Sequence, residues 1–155
     1  MKTFRLPFQK HSLREKLIEK LFDFSVKPYQ WLKRKHPSWG ISKRDMLMMP
    51  PQSLGHEVGL FLEKNNFEVM AKCESHDVYH TLLGYATDVP NEIKMQYFLL
   101  GNGRQSWYTF ATVFLGAFIL PEHLWIFSVE FLKGNKYKSI KNWYLPDYYL
   151  KTQKY

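Results

Sequence analysis

The chain has 155 residues, 45% of them apolar and 17% aromatic, enough for one hydrophobic core and too few for two, so a single domain over residues 1–155 is expected. Its one cysteine, Cys73, excludes an intramolecular disulfide and any multi-cysteine zinc site. The net charge of +8 is unevenly spread: residues 1–44 carry 12 Lys/Arg against 3 Asp/Glu, residues 45–132 carry 4 against 10, and residues 133–155 carry 6 against 1.

Basic ends suit an anionic membrane surface, and with no nucleic-acid motif beside the charge no nucleic-acid partner is expected. The N-terminus lacks a signal-peptide core with a small-residue cleavage site. The longest uncharged window runs from Gln105 to Pro121. It barely reaches the length of a membrane span and is diluted by Gln105, Ser106, Thr109 and Thr112. It reads as a buried core helix or the wall of an apolar cavity.

In chain order, Ser12-Leu13-Arg14-Glu15 forms a capping box that opens an amphipathic helix. Its apolar face is Leu13, Leu17, Ile18, Leu21 and Phe22, and Pro28 ends or kinks it. A shorter helical piece follows, with Trp31 and Leu32 beside Lys33-Arg34-Lys35. Pro37, Gly40, Pro50 and Pro51 punctuate a loop-rich connection around a short turn at Ser42–Met48. Ser53 caps a helix whose apolar face is Leu54, Val58, Phe61 and Leu62, stopped at Asn65-Asn66. His56 sits in its first turn and reads as a surface histidine.

Ser75 is the expected cap of the next helix. Asp88 caps the one after, with Pro90 in its first turn and a stop at Gly101-Asn102-Gly103. Trp107 to Leu120 is the most apolar helix. Pro121 opens a last one, ended by Gly134-Asn135, and the aromatic tail from Tyr137 packs back on the body. No strand alternation and no repeat is present, so the expected fold is all-α.

The stretch that stands out is His76-Asp77-Val78-Tyr79-His80, followed after eleven residues by Glu92. At roughly 100° per residue, His76, Asp77 and His80 fall on an arc of roughly 100°. Two imidazole nitrogens and a carboxylate on one face suit a divalent metal, and a carboxylate from the next helix start can complete the shell. Each residue also has an ordinary use, since Asp77 and Glu92 both sit in first turns, where acids favour the helix dipole. Four metal-capable side chains on two consecutive helix starts are harder to ascribe to capping. The adjacent His76-Asp77 pair also leaves a metal-dependent phosphohydrolase open, with His56 and Asp88 as its remaining candidate ligands.

This pattern resembles the HDxxHx₁₁E signature of the coenzyme Q biosynthesis protein four family. Ser53-Leu54-Gly55-His56-Glu57 with Phe61-Leu62 is similar to that family's upstream segment, and Thr81-Leu82-Leu83-Gly84 to the continuation of its motif. The resemblance spans roughly residues 45–150 and leaves residues 1–44 as a basic N-terminal helical region. The family usually has Pro where Ala86 stands and Gly where Asn91 stands, and its link between the two motifs is longer.

The resemblance implies an all-helical protein with His76, Asp77, His80 and Glu92 as metal ligands, zinc foremost, iron and manganese also suited. It implies a polyprenylated benzoquinone precursor as the isoprenoid ligand. The implied chemistry is that of a metal-dependent decarboxylase removing the ring C1 carboxyl with hydroxylation. The alternative is a non-catalytic lipid-binding scaffold that organises other quinone-biosynthesis proteins. The expected location is peripheral, on the cytoplasmic face of a membrane or the matrix face of the mitochondrial inner membrane. A second copy of the chain stays open as a partner.

Overall fold

The computed structural model describes residues 13–14, 16–18, 20–21, 38–71, 73–143 and 145–150. Among these the regular structure is helical throughout, with no strand, so the chain is all-α as its periodicity predicts. The described residues fall into two units: one from Lys27–Gly84 and Tyr144–Tyr155, the other from Phe8–Val26 and Tyr85–Trp143.

The first unit holds α1 (Lys43–Leu47), α2 (Leu54–Lys64), α3 (Glu74–Leu83) and a 3₁₀ turn at Leu145–Tyr148. Ser42 and Asp45 close a capping box at the start of α1, each side chain taking a bond from the other's backbone N–H. Ser53 caps α2, accepting from the His56 N–H at 3.3 Å. Met46, Leu54, Val58, Leu62 and Val78 are buried and form the core of this unit. Fully burying a side chain of that kind stabilises the fold by about 2 kcal/mol. The Gly55 N–H donates to the Tyr149 carbonyl at 2.9 Å, so the tail does pack back at this point.

The helix expected to start at Ser75 starts earlier. Its cap is Cys73, which makes no side-chain capping bond, and Ser75 already lies within α3. The Glu74 carboxylate is taken up by the Ser38 hydroxyl at 2.7 Å and the Trp39 N–H at 3.1 Å, and the helix starts two residues earlier than expected.

The second unit holds α4 (Val89–Gly101), α5 (Trp107–Ile119), a 3₁₀ turn at Pro121–His123 and α6 (Leu124–Lys136). Asp88 caps α4 through the Asn91 N–H at 3.0 Å, with Pro in the first turn, as its sequence predicts. α4 and α6 pack against each other, with Tyr97 stacked on Phe127 at 5.1 Å between ring centroids. Further along, each helix meets the other through a glycine: a Cβ on Gly101 would strike the Phe131 carbonyl, and one on Gly134 would strike the Phe98 carbonyl. This corrects the reading of Gly134 as a helix stop. α6 continues through it to Lys136, because Gly134 is there to let two backbones touch.

Beyond that contact, the buried Asn102 amide donates to the carbonyls of Gly134, Tyr137 and Lys138 at 3.1–3.3 Å and its oxygen accepts from the Ile140 N–H at 2.8 Å. Ile18, Val89, Ile93, Leu120 and Phe127 form the core. Of the described residues of the expected N-terminal apolar face, Ile18 is buried and Leu13, Leu17 and Leu21 are exposed. The Ser12–Glu15 capping box, Phe22, Pro28 and the Trp31–Lys35 cluster lie outside the described residues.

α5 departs most from expectation. It lies along α4 with Thr109, Thr112 and Gly116 buried, and a Cβ on Gly116 would sit 2.6 Å from the Ile93 side chain. Its largest apolar residues, Trp107, Phe110, Phe114 and Phe118, face outward. The helix read as a core element is therefore inverted. Close approach to α4 requires small residues, and these occupy its inner face.

Candidate metal centre

His76 and His80 are one turn apart on α3, which sets their rings edge to face with centroids 4.7 Å apart. His80 is almost wholly buried and its other face lies against Phe61 of α2, the two rings near parallel at 5.6 Å. Such stacking fixes the ring plane, which is what an imidazole needs if its nitrogen is to be aimed at a fixed point. His76 is half-buried.

Asp77 is buried beside them, its Oδ1 3.8 Å from His76 Nδ1. That is close enough for electrostatic attraction to a protonated ring and too long for a hydrogen bond. The Asp77 backbone carbonyl accepts from the Thr81 hydroxyl at 2.9 Å.

Glu92 is buried in the first turn of α4. Its Oε1 accepts from the Gln96 amide at 3.1 Å and from the Tyr108 hydroxyl at 3.4 Å. The Gln96 oxygen in turn accepts from the Thr109 hydroxyl at 3.1 Å, and Thr109 pairs with Ser106 at 2.8 Å. This chain of buried polar groups runs from α4 to the start of α5. It holds the carboxylate in one orientation.

His76, His80 and Glu92 form one group: each offers a ligand atom, and these atoms all lie within 4.8 Å of one another. Two imidazoles and a carboxylate, two of the three residues buried, are a donor set that suits a divalent metal. The residues fit a metal, and three of the four expected from the sequence are brought together. Asp77 neighbours the group without being one of its three members.

Three polar residues nearby were not anticipated. Gln96 follows Glu92 by one turn, a spacing visible in the sequence, but Thr109 reaches it only through the packing of α5. Tyr149 is buried with a hydroxyl that has no hydrogen-bond partner among the described residues. Burial, reinforced by the negative charges of Glu74 and Asp77, pushes its ionisation well above the usual phenol range. His56, by contrast, is half-buried, with its Nδ1 3.2 Å from the Leu47 carbonyl, a bond that ties α2 to α1. No protein-family model matches the chain, and no curated protein matches it.

Proposed function

We propose that the chain binds one divalent metal through His76, His80 and Glu92, with Asp77 as a fourth ligand, and acts in ubiquinone or related polyprenyl-quinone biosynthesis. The observation that carries the metal half is the clustering of His76, His80 and Glu92. The pathway half rests on the resemblance of the His76–Glu92 spacing and the Ser53–Glu57 segment to the coenzyme Q biosynthesis protein four family. The ligand is a polyprenylated benzoquinone precursor, and the reaction is loss of its C1 carboxyl as carbon dioxide with a hydroxyl entering at C1, dioxygen serving as the oxidant and the source of the new oxygen. A divalent cation held there supplies Lewis acidity toward the carboxylate or phenolate of the head group. The chain itself contributes fixed ligand orientation, through the Phe61–His80 stack and the Gln96–Glu92 bond. The protein works peripherally, where such lipids reside.

Native mass spectrometry with metal analysis, wild type beside His80→Ala, tests the reading. One divalent ion and a co-purified polyprenyl lipid in the wild type, with the ion lost from the variant, are expected. Folded wild-type protein with neither metal nor lipid would overturn it. Turnover of a defined polyprenyl hydroxybenzoate by the purified, metal-loaded protein separates enzyme from scaffold. Turnover supports the decarboxylase, and retention of metal and lipid without turnover assigns the scaffold role.

A further inference from the structure

α5 buries threonine and glycine and exposes aromatics, the reverse of an ordinary amphipathic helix in a water-soluble fold. Trp107, Phe110, Phe114 and Phe118 fall on an arc of about 80° along its length. Trp107, Phe114 and Phe118 are 80%, 71% and 78% exposed. Four large aromatics in one stripe form a contiguous apolar surface of the kind that marks a binding face.

The charge beside the stripe says what covers it. From Gln105 to Pro121 there is no acidic residue. Just before the helix, the chain passes Gly103, against whose Cβ position the Lys141 side chain lies at 3.1 Å. Lys138 is anchored to the same place by its carbonyl, which accepts from Asn102 at 3.3 Å. Both lysines are exposed. The acids of this unit that lie nearest in sequence are engaged: Glu130 by Lys133 at 2.7 Å and Tyr85 at 2.6 Å, Glu122 by Arg14 at 3.1 Å. An aromatic stripe with a tryptophan, no acidic residue along its length and exposed lysines near its start matches an interfacial helix on anionic lipid. A second copy of the same face, packed about a two-fold axis with these ends adjacent, sets lysine against lysine.

We propose that the outward stripe of α5, with Lys138 and Lys141 at its start, docks the protein flat on an anionic lipid leaflet. No single described helix is long and apolar enough to cross a membrane, and α5 meets the following helical segment at a bend of 104°. Thirteen residues span about 20 Å, short of the roughly 30 Å hydrocarbon core, so α5 lies in the interface plane. The inference rests on the membrane-peripheral part of the function proposed above and names its surface. It draws nothing from the metal site.

Flotation of the purified protein with phosphatidylcholine vesicles, with and without phosphatidylglycerol, tests it. Wild-type protein is expected to float with the anionic vesicles and not with the neutral ones. Phe114→Ser with Phe118→Ser is expected to weaken this at least about tenfold at every salt concentration. Lys138→Gln with Lys141→Gln is expected to weaken it chiefly at low salt. These side chains are exposed, and circular dichroism with bound-metal content confirms that the variants keep their fold. Metal content is read on the same samples, so loss of the vesicle result leaves the metal reading standing, and the reverse. The proposal is overturned if wild-type protein stays unbound to both vesicle types. It is also overturned if light scattering shows a dimer that the phenylalanine variants dissolve while lipid binding is unaffected.

Discussion

The Gln96 side-chain amide donates to Glu92 Oε1 at 3.1 Å, one turn along the same helix, and so decides which way the carboxylate faces. Gln96 is itself held by the Thr109 hydroxyl, so the position of one candidate ligand depends on a residue from the next helix. Thr109→Val is expected to lower metal affinity about 10–100-fold, the usual cost of removing an outer-shell partner, while Thr109→Ser restores it. Competition titration against a metallochromic chelator measures this. Equal affinity in all three proteins would show that the network is only structural.

The Tyr149 hydroxyl is buried and lacks a partner among the described residues, a state that costs a folded protein about 1–3 kcal/mol. Tyr149→Phe is therefore expected to leave stability unchanged or raise it by about 1 kcal/mol, unlike most core substitutions. Denaturant unfolding checks this. Lower stability in the variant would mean that the hydroxyl is satisfied in solution.

Three phenols, Tyr85, Tyr97 and Tyr149, have their ionisation raised, in each case first by burial; Glu130 adds to the effect at Tyr85, and Glu74 and Asp77 at Tyr149. Raised folded values mean that above the ordinary phenol value of 10.0 the unfolded chain releases protons that the folded chain retains. The stability these groups contribute is complete below that pH and is lost as pH rises beyond it. The ultraviolet phenolate signal is expected to show these tyrosines titrating together with alkaline unfolding. Smooth titration of all tyrosines near the ordinary value in still-folded protein would contradict the burial.

Gly101→Ala and Gly134→Ala each place a methyl group into a backbone carbonyl of the facing helix, where no side chain can swing aside. Each is expected to cost about 3 kcal/mol or to abolish folding of the α4–α6 pair. Gly40→Ala, with nothing within 4 Å of its Cβ position, serves as the comparison, although its φ of +68° carries a cost of about 1 kcal/mol. Thermal melts of the three variants should separate accordingly.

The sequence made helix starts legible where a side chain caps its own turn. Ser53 and Asp88 cap where their positions predict, and Pro90 and the Gly101–Gly103 stop fall in place. It misplaced the start of α3, because the Glu74 carboxylate is claimed by Ser38 and Trp39 from far along the chain. It also misjudged α5, since periodicity shows that a helix has two faces and not which one a neighbour covers. Thr109 and Gly116 are inside because α4 comes close there, a fact of packing that hydrophobicity ranks backwards. Of the candidate site, His76, His80 and Glu92 were legible from spacing alone, whereas Phe61, Thr109 and Tyr149 reach it through long-range contacts that no local pattern encodes.

The bond from the Gly55 N–H to the Tyr149 carbonyl has a consequence for how the chain is made. The two ends of that bond lie on either side of Tyr85–Trp143, which belong to the other unit. During synthesis, the helices α4 to α6 therefore leave the ribosome before the helix pair bearing His76 and His80 receives its last backbone partner. A nascent chain halted before Tyr149 is expected to protect the amides of α4 and α6 from hydrogen exchange while that of Gly55 remains open.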